Sequence, residues 1–270
     1  MRILIYLSHP AQYLFLRETI NRLSSEGIKL KILIKTKDVL ENLLRHDKQP
    51  FTNILGKQRD NSRLSIFISL LKRIYMVHYQ TLKFKPSIML GTDASIAIVG
   101  KMLHIHRITI IEDDYEAIKL LGMLTYPFTE TILCPKVCKV GKWEHKKVGY
   151  DGYMKLGYLH PNIFKLKKEC IKYYNLPSKY AIIRLSGLEA YHDKGIDGIN
   201  YNFLNQIILI LQNQECHIFI SSETKINANY EKYLLKINPN DMQQVLANST
   251  VLISDSQSMS VEASLLGIPS

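Results

Sequence analysis

The first half of the chain alternates short apolar runs with longer segments in which apolar residues recur at helical spacing. The runs are rich in Ile and Leu, which is typical of strands covered on both faces of a sheet. This alternation predicts βα units stacked into a parallel sheet. We expect six strands, at residues 2–7, 30–34, 51–55, 87–90, 108–111 and 131–133. Five helices are expected between them, at residues 12–25, 39–44, 64–82, 94–103 and 115–124.

The second half repeats the alternation after residues 149–161, which are rich in Gly and Tyr and are predicted to be a linker. Residues 266–270 have the pattern of a helix end and a turn, so the second domain is expected to be incomplete at the C-terminus. We predict an α/β fold in which two parallel-sheet domains, residues 1–160 and 161–270, face a cleft. The second domain is expected to contain strands 180–185, 217–220 and 251–253 and helices 201–211, 230–235, 242–247 and 259–266.

The composition is that of a globular protein, because 46% of the residues are apolar and 22% are charged. The apolar runs are much shorter than the roughly 20 residues that cross a bilayer. The N-terminus lacks the apolar core and the cleavage site of a signal peptide. We therefore expect a cytoplasmic protein.

The chain is basic, with 35 Lys and Arg against 24 Asp and Glu and a net charge of +11. Such a charge can attract nucleic acid, lipid headgroups or a phosphate-bearing acceptor. Without a nucleic-acid motif, we expect a solvated face that can approach an anionic membrane, and no nucleic-acid partner. The lysines cluster at Lys136, Lys139, Lys142, Lys146 and Lys147, and again at Lys165, Lys167 and Lys168.

The four cysteines are few and lie beside or inside apolar segments, as reduced thiols do. Cys134, Cys138 and His145 do not have the spacing of a zinc site and lack a fourth ligand, so no metal is expected. The sequence also lacks a phosphate loop, the glycine fingerprint of dinucleotide-binding folds, a serine-hydrolase elbow and a zinc-protease motif. These absences argue against the corresponding classes of enzyme.

The strongest candidate for a binding site is at the end of the strand 251–253, where small hydroxyl residues open a helix. The free N–H groups and positive dipole end of a helix N-terminus attract anions, and Ser256 and Ser258 can add hydroxyl donors. A diphosphate is the natural ligand. Glu262, further along the helix, is placed to accept hydrogen bonds from a ribose diol. The alternative is that Ser256 is only an N-cap.

Other polar residues of the second domain lie on or after its strands and are expected at the same edge of the sheet. An Arg inside a strand is costly unless it is paired, so Arg184 is a candidate partner for a phosphate or carboxylate. An internal salt bridge is the alternative. The further candidates are His192, Asp193, Ser221, Ser222 and Glu223.

The first domain presents one histidine and four carboxylates after its strands. His9 follows the first strand and could act as a base or bind phosphate; a solvated loop residue is the alternative. Grouped carboxylates can raise one another's pKa values, as acid–base chemistry requires. The alternatives are an N-cap role for Asp93 and a solvated turn for the other three. The carboxylates are Asp93, Glu112, Asp113 and Asp114.

Taken in chain order, these motifs resemble an uncharacterised family known as domain of unknown function 354. The resemblance covers essentially the whole chain. Members of that family look like glycosyltransferases of the GT-B type, with two Rossmann-like domains, and are more distantly similar to UDP-N-acetylglucosamine 2-epimerases. The motifs are residues 8–11, 112–114, 149–153, 158–161, 190–193, 220–223 and 254–263.

The resemblance implies that Ser256, Gln257 and Ser258 bind the nucleotide diphosphate and that Glu262 binds the ribose. This chain departs from the epimerases at their phosphate turn, where their paired glycines are replaced by Gln257 and Ser258.

For the first domain, the epimerase comparison implies that Asp93 and Glu112 are acid–base carboxylates. It places His192 near the active-site His of the epimerases. His9 stands where the epimerases have an Arg, and a third catalytic Glu has no counterpart.

Three hypotheses follow from this interpretation. The first is a GT-B-like glycosyltransferase without metal or cofactor that takes a nucleotide sugar, a UDP sugar, and a sugar or lipid-linked acceptor in cell-surface polysaccharide synthesis. Its acceptor base would be His9, Asp93 or Glu112. The second is a sugar-nucleotide epimerase in which the carboxylates move the C2 proton. The third is a non-catalytic or truncated nucleotide-binding module.

Overall fold

A computed structural model of the chain describes residues 1–35, 38–55, 63–186 and 198–270. It divides into two compact units, Met1–Tyr158 (unit 1) and Leu159–Ser270 (unit 2). No helix in these described ranges is long and apolar enough to cross a bilayer.

Unit 1 is built on a parallel sheet of seven strands in the order β3-β2-β1-β4-β5-β6-β7. The six strands predicted from the sequence are all present, within two residues at each end. The strands are β1 (Arg2–Leu7), β2 (Lys29–Lys35), β3 (Phe51–Leu55), β4 (Ile88–Gly91), β5 (His106–Ile110), β6 (Thr131–Pro135) and β7 (Lys147–Tyr150).

Helices connect the strands of unit 1 and cover its sheet. Leu4, Tyr6 and Leu33 of the sheet pack with Ile96 and Val99 in one buried cluster, so the core lies between the sheet and the helix that follows β4. The helices are α1 (Pro10–Ser25), α2 (Asp38–His46), α3 (Arg63–Phe84), α4 (Ala94–Met102), α5 (Lys119–Thr125) and the short α6 (Leu156–Leu159).

The seventh strand falls partly in the segment predicted to be a linker. β7 pairs with β6, and the connection between them, residues 136–146, contains a 3₁₀ segment at Gly141–Lys146. Gly149 is needed within the strand, because a Cβ there would come 2.8 Å from the Lys136 side chain. Gly149, one of the glycines that suggested a linker, therefore marks a close approach between neighbouring strands.

Unit 2 contains a parallel sheet of three strands in the order β10-β8-β9. Alternate residues of β8 serve two cores, because Ala181 and Ile183 pack on one face while Tyr180 and Ile182 pack on the other. The strands are β8 (Tyr180–Leu185), β9 (His217–Ser222) and β10 (Val251–Ser254). The helices are α7 (Lys168–Tyr173), α8 (Tyr201–Asn213), α9 (Met242–Leu246) and α10 (Gln257–Leu265).

Two predictions for unit 2 need correction. The helix expected at residues 230–235 is a 3₁₀ segment, Ala228–Tyr233, that is too short to show a helical period. Helix α7, before β8, was not predicted, because its six residues do not establish a period either.

Candidate functional site

The carboxyl edge of the unit 2 sheet aligns three polar residues on neighbouring strands. The register places Arg184 beside Ser254 on one side and beside Ser221 on the other. The Arg184 Nη1 donates to Ser221 Oγ at 2.8 Å, and its Nη2 forms a salt bridge with Glu223. The predicted internal salt bridge therefore exists. Nevertheless, the buried Nε of Arg184 has no hydrogen-bond partner within the described part of the chain.

Helix α10 begins at the same edge, directly after β10. Ser256 is its N-cap residue, but the Ser256 side chain makes no capping hydrogen bond. Instead, the backbone N–H of Ser256 donates to Ser254 Oγ at 2.8 Å. The first N–H groups of a helix have no partner inside the helix, so this end can receive an anion. Ser256 therefore has the N-cap position that the alternative gave it, but its side chain does not cap the helix.

Asp255 has a positioning role that the sequence analysis missed. Its Oδ1 accepts hydrogen bonds from the backbone N–H and hydroxyl of Ser186 at 2.7 and 2.9 Å. Its Oδ2 accepts one from the N–H of Ile199 at 3.2 Å. Asp255 thus joins the start of α10 to the chain that follows β8. An Asp between a strand and a helix was the available signal, but its partners lie 56 and 69 residues away.

Glu262 lies inside unit 2 and is only 6% exposed. The Gln243 Nε2 of α9 donates to its Oε2 at 3.4 Å, a long hydrogen bond. The remaining residues predicted for this edge are more accessible: Ser222 and Ser258 are half-buried and Gln257 is exposed. His192 and Asp193 lie outside the described residues.

In unit 1, the ends of β1, β4 and β5 lie side by side because these strands are neighbours in the sheet. Gln12, which the sequence analysis did not single out, connects two of them. Its Oε1 accepts from the Ser8 N–H at 2.8 Å, and its Nε2 donates to Thr92 Oγ1 at 2.7 Å. Gln12 and Thr92 also line a pocket of about 10 Å³, the space of about one water.

His9 is the exposed N-cap residue of α1. Its Nδ1 accepts a hydrogen bond from the backbone N–H of Ala11 at 3.2 Å. A neutral imidazole that accepts at Nδ1 carries its proton on Nε2. The Nε2 of His9 is therefore a hydrogen-bond donor, for example to a phosphate. It is not free to accept a proton as a base would.

Asp93 is the N-cap residue of α4, which is the alternative that the sequence analysis left open. Its Oδ1 accepts from the Ser95 N–H at 2.9 Å and from the Ser95 hydroxyl at 2.6 Å. Its Oδ2 forms a salt bridge with Arg73 Nε at 3.2 Å, and the two charged side chains are 16% and 10% exposed. Both oxygens of Asp93 are thus engaged in holding α3 and α4 together.

Glu112, at the end of β5, has a different environment. It forms a salt bridge of 2.7 Å with Lys155, whose side chain is 8% exposed, while the Glu112 side chain is 25% exposed. The buried hydroxyl of Tyr150 has no hydrogen-bond partner among the described residues. Burial, followed by the Glu112 charge, raises the pKa of Tyr150. Glu112, Lys155 and Tyr150 therefore lie together at the end of β5.

The other carboxylates after β5 do not share one arrangement. The Asp114 Oδ1 accepts a hydrogen bond from the backbone N–H of Lys139 at 2.7 Å and so stabilises a turn. Burial is the main cause that raises the pKa of the Cys138 thiol, to about 11, and the charge of Asp113 adds to this increase. The described part of the chain contains no group of three or more His, Cys, Asp or Glu that could hold a metal ion.

The lysine cluster predicted to be a solvated face is partly internal. The Lys146 ammonium donates to the carbonyl oxygens of Tyr126 and Thr129, both at 2.8 Å. The Lys147 ammonium donates to those of Lys136 and Cys138 at 3.0 and 2.6 Å. Two of the five lysines before the linker therefore stabilise unit 1 and do not present their charge to a partner.

Comparison with solved structures relates the chain to two groups of enzymes. The S. aureus MnaA structure with UDP has a TM-score of 0.71 at 11% identity, over 99% of this chain and 78% of that one. The Neisseria meningitidis UDP-GlcNAc 2-epimerase bound to UDP-GlcNAc has a TM-score of 0.71 at 15% identity, over 100% and 81%. The spinosyn rhamnosyltransferase SpnG with thymidine diphosphate has a TM-score of 0.58 at 13% identity, over 100% and 79%.

The chain has a GT-B-like fold. The predicted fold class, α/β with two parallel sheets, is confirmed by these neighbours and by the sheet topology. At such low identities the likeness establishes the fold alone. Comparisons with protein-family models and with curated proteins gave no match.

Proposed function

We propose that this chain is a GT-B-like glycosyltransferase that binds a nucleotide sugar, specifically a UDP sugar, at the carboxyl edge of the unit 2 sheet. The observation that carries the proposal is the alignment of Ser254, Arg184 and Ser221 in one row, with the N-terminus of α10 beginning beside it. This edge combines a guanidinium, hydroxyl groups and free helix N–H groups, which together suit a diphosphate.

The neighbours support this choice of ligand. MnaA was solved with UDP, the meningococcal epimerase with UDP-GlcNAc, and SpnG with thymidine diphosphate. The common element among these three ligands is a pyrimidine nucleoside diphosphate.

The proposed roles in unit 2 follow from the contacts. Ser256, Gln257 and Ser258, at the start of α10, bind the diphosphate. Ser221, Ser222 and Glu223 hold or flank Arg184, whose unpartnered buried Nε gives it capacity for a further acceptor. Glu262 binds the ribose, as the family resemblance implies, and the long hydrogen bond from Gln243 is one that a ribose diol could replace. Positive groups at the diphosphate stabilise the charge that develops as the sugar leaves.

In unit 1, Glu112 is the preferred base for the acceptor hydroxyl. A base must be able to exchange its hydrogen bonds during the reaction. Asp93 is poorly suited, because both its oxygens hold α3 and α4. Glu112 is more accessible and its partner Lys155 can remain beside it as the proton arrives. His9 would donate from Nε2, and Asp113 remains a candidate carboxylate after β5. His192 keeps the place near the active-site His that the epimerase comparison implies.

The acceptor and pathway follow from the resemblance to domain of unknown function 354. It supports a sugar or lipid-linked acceptor in cell-surface polysaccharide synthesis.

Titration calorimetry with UDP tests the nucleotide site. We expect saturable binding by the wild type and an affinity weaker by about 1–3 kcal/mol, or roughly 5- to 150-fold, in Glu262→Ala and Glu262→Gln, because charged hydrogen bonds to the ribose are lost. Glu262→Gln keeps the side-chain volume, so it separates binding from folding. The matched control is Glu231→Gln, an exposed carboxylate of the same unit.

Two results would count against the proposal. Unchanged affinity in both Glu262 variants removes that residue from the site. Absence of binding of UDP, thymidine diphosphate and UDP-GlcNAc to the wild type contradicts a nucleotide-sugar function altogether.

A second candidate function is epimerisation of the sugar nucleotide at C2. Asp93 and Glu112 favour it, because they follow β4 and β5, which are neighbours in the sheet. An epimerase that moves the C2 proton exchanges it with solvent, so substrate recovered from D₂O carries deuterium. A transferase leaves the substrate unlabelled. We expect no label in UDP-GlcNAc after incubation with the wild type, as judged by mass spectrometry; deuterium that disappears in Glu112→Gln would establish the epimerase instead.

A further inference from the structure

Helix α3 presents a row of apolar and aromatic side chains to solvent. Ile68, Leu71, Tyr75, Tyr79 and Leu82 are between 42% and 69% exposed. Their spacing of three and four residues places them on one face of the helix. From the first to the last they extend over about 21 Å at 1.5 Å per residue. We call this row the α3 face.

The α3 face is not needed to hold the helix on unit 1. The opposite side of α3 is anchored by Val77, which is fully buried in the core beneath the sheet, and by Arg73, which pairs with Asp93. A helix that is already anchored gains nothing from exposed Leu and Tyr on its other side, and contiguous exposed apolar patches mark interaction surfaces.

The charged side chains of the α3 segment itself are all basic. Residues 61–92 contain no Asp or Glu. Lys72, Lys83 and Lys85 are exposed on or just after the helix, and the Lys83 ammonium lies 4.4 Å from the centre of the Tyr79 ring. The lysine stems can therefore lie along apolar surface while their charges reach outward.

This combination selects an anionic lipid surface over a second copy of the chain. In a symmetric dimer the α3 face would meet itself, and its lysines would oppose one another with no carboxylate in residues 61–92 to pair them. A bilayer with anionic headgroups instead offers negative charge for the lysines, an apolar layer for Ile and Leu, and an interface suited to Tyr.

We propose that the α3 face docks unit 1 on an anionic membrane, with the leucines and tyrosines inserted at the headgroup boundary and the lysines on the phosphates. This surface differs from the lysine cluster around Lys146, whose ammonium is bound to backbone carbonyls. The proposal does not depend on the nucleotide site, which belongs to unit 2.

Flotation with lipid vesicles tests the proposal. The probes are vesicles of phosphatidylcholine alone and vesicles of phosphatidylcholine with an equal amount of phosphatidylglycerol. We expect the wild type to float with the anionic vesicles only and to be released by high salt. Leu71→Ser/Tyr75→Ser should lower the bound fraction roughly tenfold through lost insertion, and Lys72→Glu/Lys83→Glu should do so through lost attraction.

The control is Leu209→Ser/Ile210→Ser on α8. These residues are 59% and 63% exposed, but α8 carries no charged side chain. The control should bind vesicles like the wild type. Circular dichroism of every variant verifies folding, and the fluorescence of Trp143, which lies in unit 1, does so for the α3 variants without relying on the nucleotide site.

Three results would overturn the proposal. The first is a wild type that does not float with anionic vesicles. The second is flotation that persists unchanged in both α3 variants, and the third is a wild-type dimer in light scattering that Leu71→Ser/Tyr75→Ser converts to a monomer. The last would assign the α3 face to self-association.

Discussion

At the scale of single residues, the partners of a carboxylate decide its role more than its place in the sequence. Asp93 and Glu112 occupy equivalent positions after neighbouring strands, yet Asp93 caps a helix and pairs with Arg73, while Glu112 pairs with Lys155 in a more accessible position. We therefore expect Asp93 to act on stability and Glu112 on activity.

Two substitutions of Asp93 distinguish its role as the cap of α4 from its salt bridge with Arg73. Asp93→Ala removes the cap and leaves Arg73 charged, 10% exposed and unpaired, so it should lower the free energy of unfolding by about 3–5 kcal/mol. Asp93→Asn retains a capping side chain and should cost less. Urea unfolding measures both. Asp151→Ala is the control, because its pair with Lys136 is highly exposed and should change stability by less than about 1 kcal/mol.

A stable Asp93→Ala protein with lost activity would contradict this assignment and return Asp93 to the reacting groups. A loss of stability accompanied by normal turnover of the folded fraction would support it.

The polar residues at the strand ends could be predicted from the sequence, but the contacts that they make could not. Strand ends follow from hydrophobic pattern, so His9, Asp93, Glu112 and Arg184 could be found. Lys155, in contrast, lies 43 residues from Glu112 and comes after β7, which the hydrophobic pattern did not predict. Such a partner is fixed by tertiary packing, and the hydrophobic pattern of the chain carries no signal for it.

At the scale of elements, long periodic segments were predictable and short ones were not. Helix α5 illustrates the reason. It was expected from residue 115 but begins at Lys119, because Tyr115 belongs to the preceding turn and packs against Gly122 and Gly141. An apolar residue that packs from a turn has the same pattern as one that packs from a helix.

Helix α1 shows how a boundary is set by local chemistry. Its expected start at residue 12 moves to Pro10, because Pro suits the first helical turn and the His9 side chain accepts from the Ala11 N–H. Strand β7 escaped prediction for the opposite reason: it follows β6 without the helix that marks the other βα units.

At the scale of the whole molecule, the two units can be observed separately. Each has its own sheet and buried clusters, and the single tryptophan, Trp143, lies in unit 1. Its fluorescence therefore reports the unfolding of unit 1 alone. This matters for a chain of net charge +11, in which protonation of carboxylates adds to self-repulsion throughout.

One contact gives unit 1 a specific dependence on acid. The fully buried Tyr13 of α1 donates from its hydroxyl to Asp47, after α2, at 2.7 Å. Burial alone would raise the pKa of Asp47, but the hydrogen bonds from Tyr13 and His46 and the Arg17 charge lower it below its ordinary value. A lowered folded-state pKa stabilises the protein above the unfolded pKa of about 3.9, and that stability is lost as the pH falls through the folded value.

Tyr13→Phe should therefore destabilise unit 1 by about 1–3 kcal/mol at pH 7, because a buried hydrogen bond to a charged group is lost. The difference from wild type should shrink as the pH falls below about 4, where Asp47 becomes protonated in the unfolded chain first. Urea unfolding followed by Trp143 fluorescence at several pH values measures it, with the exposed Tyr153→Phe as control. A destabilisation that stays constant down to the acid transition would mean that Tyr13 contributes through packing alone and that the charge of Asp47 does not stabilise the folded state.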